Sequence, residues 1–94
     1  MENTLKRVLE AAERIYGPSS RAILGRCRTT DVVDARDAAI WAYRELTGYS
    51  TTVIGNRFNR TQNGINYGLR RTRDRIATEE KYRNRINQLL EAVK

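Results

Sequence analysis

Three amide side chains, those of Gln62, Asn63 and Asn66, lie close together in a segment that is otherwise rich in arginine. A carboxamide offers one donor and one acceptor and can match the N6 and N7 atoms of adenine. From position 57 to position 75 the chain has six arginines and a single acid, Asp74. Because a planar guanidinium pairs with phosphate or with a guanine edge, this combination indicates nucleic-acid recognition.

Two groups of contacts are expected from these residues. The better candidates for reading bases are Gln62 and Asn63, although both side chains could instead only cap the start of a helix. For Asn66, base reading and simple solvation are equally supported. The residues expected to hold phosphates or to enter a minor groove are Arg26, Arg28, Arg57, Arg60, Thr61, Arg70, Arg71 and Arg73. Any single exposed arginine could instead be solvated surface.

The loop Arg26-Cys27-Arg28 is a separate basic feature that lies well before the amide cluster. A flexible arginine there could enter a minor groove beside the main contact, as terminal arms do in other DNA readers. A solvated loop explains the same residues equally well. The sequence leaves both interpretations open.

Enzyme chemistry is disfavoured by what the chain lacks. It has no histidine and one cysteine, Cys27, which excludes a Ser-His or Cys-His pair, a mixed zinc cage and an internal disulfide. A Mg²⁺ site is suggested by three carboxylates, those of Asp31, Asp34 and Asp37. All three fall in the opening turns of one helix, however, where acidic side chains interact favourably with the positive end of the helix dipole. We therefore expect no catalysis, no metal, no cofactor and no small-molecule substrate.

The overall composition favours a polyanionic partner. The 94 residues carry 18 Lys and Arg against 11 Asp and Glu, which gives a formal charge of +7, and the lysines are only three, at positions 6, 81 and 94. A chain of this length supports one domain, spanning residues 1–94. It has no apolar run of membrane-spanning length and no apolar N-terminal stretch. We expect a cytoplasmic, nucleoid-associated protein.

Helical periodicity predicts an all-α fold of about six helices. The predicted segments are Asn3 to Tyr16, a short helix from Ser19 or Ser20, a scaffold helix from Thr30 or Asp31 to a stop at Gly48, Thr52 to Phe58, a helix from Gln62, and a terminal helix after a break near Thr78. Asn3 or Thr4 is the predicted cap of the first helix. For Trp41 and Tyr43, packing in the core or against a partner is favoured over a role as base-stacking platforms.

The segment from Ser50 to Ile76 fits a helix-turn-helix, in which one helix braces a second that enters the major groove. Gly64 and Gly68 are unusual inside a helix, and close approach to DNA or to a neighbouring helix would explain them, as would simple tolerance. The apolar stripe of the last helix is Tyr82, Ile86, Leu89 and Val93. It could close the core or pair two chains as a homodimer.

Three stretches resemble the C-terminal DNA-binding domain of the bacterial replication initiator DnaA, a Trp-repressor-like helix-turn-helix domain. The first, ARDAAIWAYRELTGYS at 35–50, is similar to that family's scaffold helix and its "ELTG-S" turn, and IGNRFNR at 54–60 is similar to its "IG-x-x-F-G-x-R" segment. TEEKYR at 78–83 resembles the turn before its terminal helix. The resemblance covers nearly the whole chain.

The resemblance implies binding to double-stranded DNA, with Arg28 placed as the loop arginine that enters the minor groove and Arg60 as the arginine before the recognition helix. The family has an Asp-His-Thr-Thr run at the start of its recognition helix, and in this chain those positions hold Thr61, Gln62, Asn63 and Gly64. We therefore expect this chain to recognise bases other than those that the family recognises. No Gly-rich phosphate loop is present. We therefore expect a stand-alone regulator of transcription or replication, encoded by a phage or another mobile element, rather than a complete initiator.

A second function class stays open at this point. The same fold could serve as a protein-interaction module that binds an acidic partner or antagonises an initiator. Tyr67, Tyr49 and Trp41 would be its anchors if they are exposed.

Overall fold

The structure is a computed structural model that describes residues 2–94, and in these residues all regular structure is helical. The helices are α1 (Asn3–Tyr16), α2 (Ser20–Leu24), α3 (Thr30–Thr47), α4 (Thr51–Phe58), α5 (Gln62–Thr78) and α6 (Glu80–Val93). The prediction of an all-α fold with about six helices is confirmed. None of these helices combines the length and apolar character needed to span a lipid bilayer.

Capping side chains start most of the helices, but two predicted caps are wrong. The carboxylate of Glu2, not Asn3 or Thr4, caps α1 by accepting from the amides of Thr4 and Leu5 at 3.0 and 3.1 Å. An acid suits this place because it also faces the positive end of the helix dipole. The cap of α3 is Thr29, which lies ahead of both Thr30 and Asp31 and makes no side-chain capping bond.

Two further predicted boundaries, at the start of α2 and at the end of α3, are confirmed. Ser19 caps α2, since its hydroxyl accepts from the amide of Ala22 at 3.1 Å. Gly48 ends α3 in the left-handed conformation, with φ 70°, which glycine adopts without steric cost.

Helix α3 is the scaffold of the fold, because it packs against each of the other five helices. Its alanines at 35, 38, 39 and 42 are fully buried, and such small side chains let neighbouring helices approach closely. Tyr43 is fully buried as predicted, whereas Trp41 lies at the edge of the core and is only partly buried.

The apolar stripe of α6 closes the core. Tyr82, Ile86, Leu89 and Val93 are all at least nine-tenths buried, and α6 packs against α1, α3 and α5. The opposite face of α6 carries polar residues, among them Asn84, Asn87 and Gln88. Of the two predicted uses of the stripe, core closure is the one the structure supports, because these side chains are not free to pair two chains.

Candidate nucleic-acid interface

Helices α4 and α5 form the predicted helix-turn-helix, joined by residues 59–61. Asn59 has a left-handed backbone, with φ 59°, and the Arg60 amide donates to the Gly55 carbonyl at 2.8 Å. A Cβ on Gly55 would lie 2.6 Å from the Arg60 carbonyl oxygen, so the tightness of this turn requires glycine there. Gly55 is the first glycine of the IG-x-x-F-G-x-R resemblance, but no structural role was predicted for it.

Helix α5 has one buried face and one exposed face. Ile65, Gly68 and Thr72 face the interior. The exposed residues include all three predicted base readers, and the outer face of α5 is defined by Gln62, Asn63, Asn66, Tyr67, Arg70 and Arg73. The structure therefore brings the amides together on one surface with two of the predicted phosphate contacts.

The two glycines of α5 differ in their surroundings. A Cβ on Gly68 would lie 3.1 Å from Oδ1 of Asp37, so this glycine allows α3 and α5 to approach closely. Gly64 is exposed, and its added Cβ would meet only the Thr61 hydroxyl at 3.2 Å. That hydroxyl caps α5 by accepting from the Gly64 amide at 3.1 Å.

Gln62 is oriented by a contact across the helix-turn-helix. Its Nε2 donates to Oγ1 of Thr51 at 3.2 Å, which joins the first residue of α5 to the first residue of α4. The Gln62 side chain is exposed, but this hydrogen bond restrains its orientation and occupies one of its two N–H donors. Its carbonyl oxygen stays available as an acceptor.

Arg36, which the sequence analysis did not recognise as a site residue, shapes the basic loop from inside. Its side chain is buried, and Nε donates to the Ile23 carbonyl at 2.7 Å. Nη2 donates to the carbonyls of Gly25 and Cys27 at 3.1 and 2.9 Å. Burial lowers the pKa of this guanidinium. The Arg36 guanidinium therefore hydrogen-bonds to two carbonyls of the loop from inside the fold, while the side chains of Arg26 and Arg28 remain exposed.

Arg60 connects the basic loop to the helix-turn-helix. Its guanidinium donates to the Gly25 carbonyl and, at 3.1 Å, to the Asn59 carbonyl. Burial, followed by the charges of Arg26 and Arg28, lowers the pKa of Arg60. These arginines border a cleft of about 370 Å³ that also reaches Arg36 and Thr61 at the start of α5. The basic loop and the N-terminus of α5 therefore form one positively charged surface.

Two other predicted phosphate contacts, Arg57 and Arg71, are engaged within the fold. Arg57 Nη1 donates to the Tyr43 hydroxyl at 2.9 Å and lies 3.3 Å from Oε2 of Glu2. Arg71 makes a bidentate pair with Asp37, with contacts of 2.9 and 3.0 Å. The structure therefore does not place these two guanidinium groups with the free cations of the outer face of α5.

The acids at the start of α3 hold α5 in place. Asp34 accepts from Arg75 at 2.7 Å, and Asp37 accepts from Arg71. Burial raises the pKa of Asp37, and the Arg71 guanidinium opposes this rise. Within residues 2–94, no group of three or more His, Cys, Asp or Glu side chains is placed to hold a metal ion.

The sequence is similar to bacterial DnaA proteins. The family model described as the bacterial DnaA protein helix-turn-helix matches residues 5–71, which include most of α1, all of α2 to α4 and the first part of α5. The chromosomal replication initiator protein DnaA of Corynebacterium jeikeium (strain K411) is 26% identical over 90 residues. The aligned region covers 95% of this chain and 15% of that relative, so the chain spans only a small part of the relative's length.

Proposed function

The chain belongs to the bacterial DnaA helix-turn-helix family, and from this we propose that it binds double-stranded DNA by inserting α5 into the major groove. The observation that carries the proposal is the exposed outer face of α5, where three amide side chains stand among free arginines beside the basic loop. We infer that the protein acts by binding and not by catalysis.

Base reading is assigned to Gln62 and Asn63 first and to Asn66 second. All three are exposed, and the first two lie in the opening turn of α5, the part of a recognition helix that reaches base edges. The contact with Thr51 fixes the Gln62 amide before DNA arrives, which lowers the entropy lost on binding. Since these residues replace the family's Asp-His-Thr-Thr run, we propose a target sequence different from the initiator's usual one.

Phosphate contacts are assigned to Arg70 and Arg73 on one side of the base readers and to the cleft of Arg26, Arg28, Arg60 and Thr61 on the other. Arg28 is the residue proposed to enter the minor groove, because its loop is held from inside by Arg36 and its own side chain is exposed. Arg57 and Arg71, being engaged by Glu2, Tyr43 and Asp37, are proposed to support the interface from within.

The biological role proposed is regulation of transcription or replication at a specific duplex site, in the cytoplasm with the nucleoid. Origin from a phage or another mobile element is part of the same proposal. Since the stripe of α6 is buried in the core, we propose that one copy of the chain forms one complete reading surface.

The test is selection of bound duplexes from a random pool at low and physiological salt. We expect one enriched motif, altered by Gln62→Ala and by Asn63→Ala, and unaltered by Gln88→Ala, an exposed amide on α6 that serves as the matched control. Loss of a good pair to a base costs about 1–3 kcal/mol of discrimination. Recovery of no motif, or of the same motif from both α5 variants, would overturn the assignment.

A further inference from the structure

A groove runs between α3 and α5 along the side of α5 away from the basic loop. It has a volume of about 410 Å³, and its floor includes Trp41 and Leu69. Both are partly buried and pack against the core, so part of each side chain remains open to the groove. The volume lies within the range of about 300–1,000 Å³ found for ligand pockets.

The rim of this groove is positively charged. Arg44, Arg70 and Arg73 line it together with one acid, Glu45. Among residues 2–94, Arg44 and Arg70 form no ion pair, and Arg73 has only Asp74 at 3.8 Å, in a pair whose side chains are 69% exposed. An exposed pair of that length contributes little. The rim therefore offers three cations whose charge the fold leaves almost uncompensated.

The composition of the groove favours a protein partner over the DNA backbone. Tryptophan and arginine are the residues that most often dominate the energy of protein–protein interfaces. A phosphate chain would pair with the arginines but has nothing to bury on an indole and a leucine. An acidic peptide with one large apolar side chain would use both the rim and the floor.

We propose that this groove binds an acidic segment of a partner protein, with carboxylates on Arg44, Arg70 and Arg73 and one aromatic or large aliphatic side chain against Trp41 and Leu69. This goes beyond DNA binding. One part of it rests on the proposed function: the groove shares Asn66, Arg70 and Arg73 with the outer face of α5, so an occupied groove competes with DNA.

The chain reports on its own groove, because Trp41 is its only tryptophan. The full chain is titrated with a short peptide of Asp and Glu that has one central Phe, and with a matched peptide that has Ala in its place. We expect the Phe peptide to change the Trp41 emission in a saturable way and to bind about tenfold more tightly than the Ala peptide. Equal affinity for the two peptides would mean attraction by net charge alone and would overturn the proposal.

Arg44→Ala tests the rim, because Arg44 is exposed and lies outside the surface assigned to DNA. We expect it to weaken the Phe peptide about tenfold and to leave duplex binding unchanged. Arg21→Ala removes an exposed arginine from α2 and is the matched control. If Arg44→Ala weakens a random duplex as much as it weakens the peptide, the groove is a phosphate site and the proposal fails.

The two proposals fail separately. Peptide binding without duplex binding would overturn the proposed function and leave the groove assignment standing. Duplex binding without peptide binding would do the reverse. When both ligands bind, displacement of a labelled duplex by the Phe peptide is the expected result, and simultaneous occupancy would overturn the competition.

Discussion

Arg36 illustrates how much of the proposed interface depends on a buried residue whose hydrogen bonds are made within the fold. Its guanidinium contacts the carbonyls of four residues, Ala22, Ile23, Gly25 and Cys27, at 2.7 to 3.3 Å. Buried carbonyls without a donor are costly, and a charged donor forms the stronger hydrogen bonds. The loop that carries Arg26 and Arg28 therefore has a defined shape before DNA is bound.

Arg36→Ala is expected to destabilise the fold by about 3 kcal/mol, since it removes charge-assisted hydrogen bonds and leaves carbonyls unsatisfied. Urea unfolding followed by circular dichroism measures this change. Arg21→Ala, on the exposed surface, should stay within about 0.5 kcal/mol of the parent chain. A loss for Arg36→Ala no greater than that of Arg21→Ala would show that the loop carbonyls find water instead.

Thr51 is a positioning residue for Gln62, and its effect should appear in specificity more than in affinity. Thr51→Val removes the hydroxyl that accepts from Gln62 Nε2 and keeps the side-chain volume. We expect the selected DNA motif to become degenerate at one position, with duplex affinity reduced less than about threefold. The readout is sequencing of duplexes selected by each variant.

Thr52→Val is the control for this prediction, because Thr52 is exposed and its hydroxyl does not contact Gln62. It should return the parent motif. The same degeneracy in both variants would mean that the hydroxyl contact does not orient Gln62.

Ion pairs along the inner edge of α5 hold this helix against α3. Asp37 is buried and paired with Arg71, and the lack of a side chain at Gly68 gives Asp37 room to approach α5. One turn away, Arg75 pairs with Asp34 and with Glu79 at the end of the helix. These pairs hold the inner edge of α5 against α3, whereas the buried Ile65 and Thr72 determine which face of α5 points inward.

Arg71→Ala should destabilise the fold by about 2 kcal/mol near neutral pH, because it leaves a buried carboxylate unpaired. Burial raises the pKa of Asp37 above its ordinary 3.8, and loss of Arg71 raises it further. Between the ordinary pKa of an aspartate and the raised pKa of Asp37, the folded state binds more protons than the unfolded state. The free energy of unfolding therefore falls as the pH rises through the raised pKa of Asp37. The defect should be smaller at pH 4 than at pH 7.

Urea unfolding at the two pH values measures this difference. The double variant Asp37→Asn with Arg71→Ala removes the carboxylate and should lose the pH dependence of the single variant. A defect of Arg71→Ala that is equal at pH 4 and pH 7 would contradict the role given to the buried charge.

The sequence predicted the elements better than the contacts between them, and the reason is physical. A helical period of apolar residues directly encodes a buried face, so the outer face of α5 and its amides could be identified in advance. The pairing of Asp37 with Arg71 joins residues 34 positions apart, and periodicity carries no information on such distances. The same holds for Arg57, which looks like a free cation until α1 brings Glu2 to it.

Helix caps were missed for a different reason. Several residues that can accept from open amides follow one another at 2–4 and at 29–31, and the backbone geometry that selects one of them is set by the neighbouring helices. The family resemblance supplied the predicted role of the basic loop. It did not indicate that Arg36 lies beneath that loop.

The apolar face of α6 is buried inside the folded molecule. With Tyr82, Ile86, Leu89 and Val93 buried, the large apolar side chains that are exposed among residues 2–94 are those of Tyr67, 62% exposed, and Tyr49, 36% exposed. We expect a monomer of about 10.9 kDa in size-exclusion chromatography with light scattering. A concentration-independent dimer would contradict the placement of α6.

The charge of the molecule is divided between cations engaged by acids within the fold and cations left free for a ligand. Acids engage Arg57, Arg71 and Arg75. Among residues 2–94, four arginines around the proposed base readers form no ion pair apart from the exposed 3.8 Å contact of Arg73 with Asp74; these are Arg26, Arg28, Arg70 and Arg73. Each neutralised phosphate contributes about −0.9 to the slope of log affinity against log salt. With Arg60 of the basic cleft, five such contacts give an expected slope of about −4.5 for a random duplex.

Titrations at several salt concentrations test this division residue by residue. Arg70→Ala should weaken all sequences alike and make the slope shallower by about one unit, because one counterion fewer is released. Arg57→Ala removes the same formal charge from a cation that Glu2 and the Tyr43 hydroxyl already engage, so its slope should stay that of the parent chain. Equal changes in slope for the two variants would mean that net charge, and not the placement of free arginines around α5, governs binding.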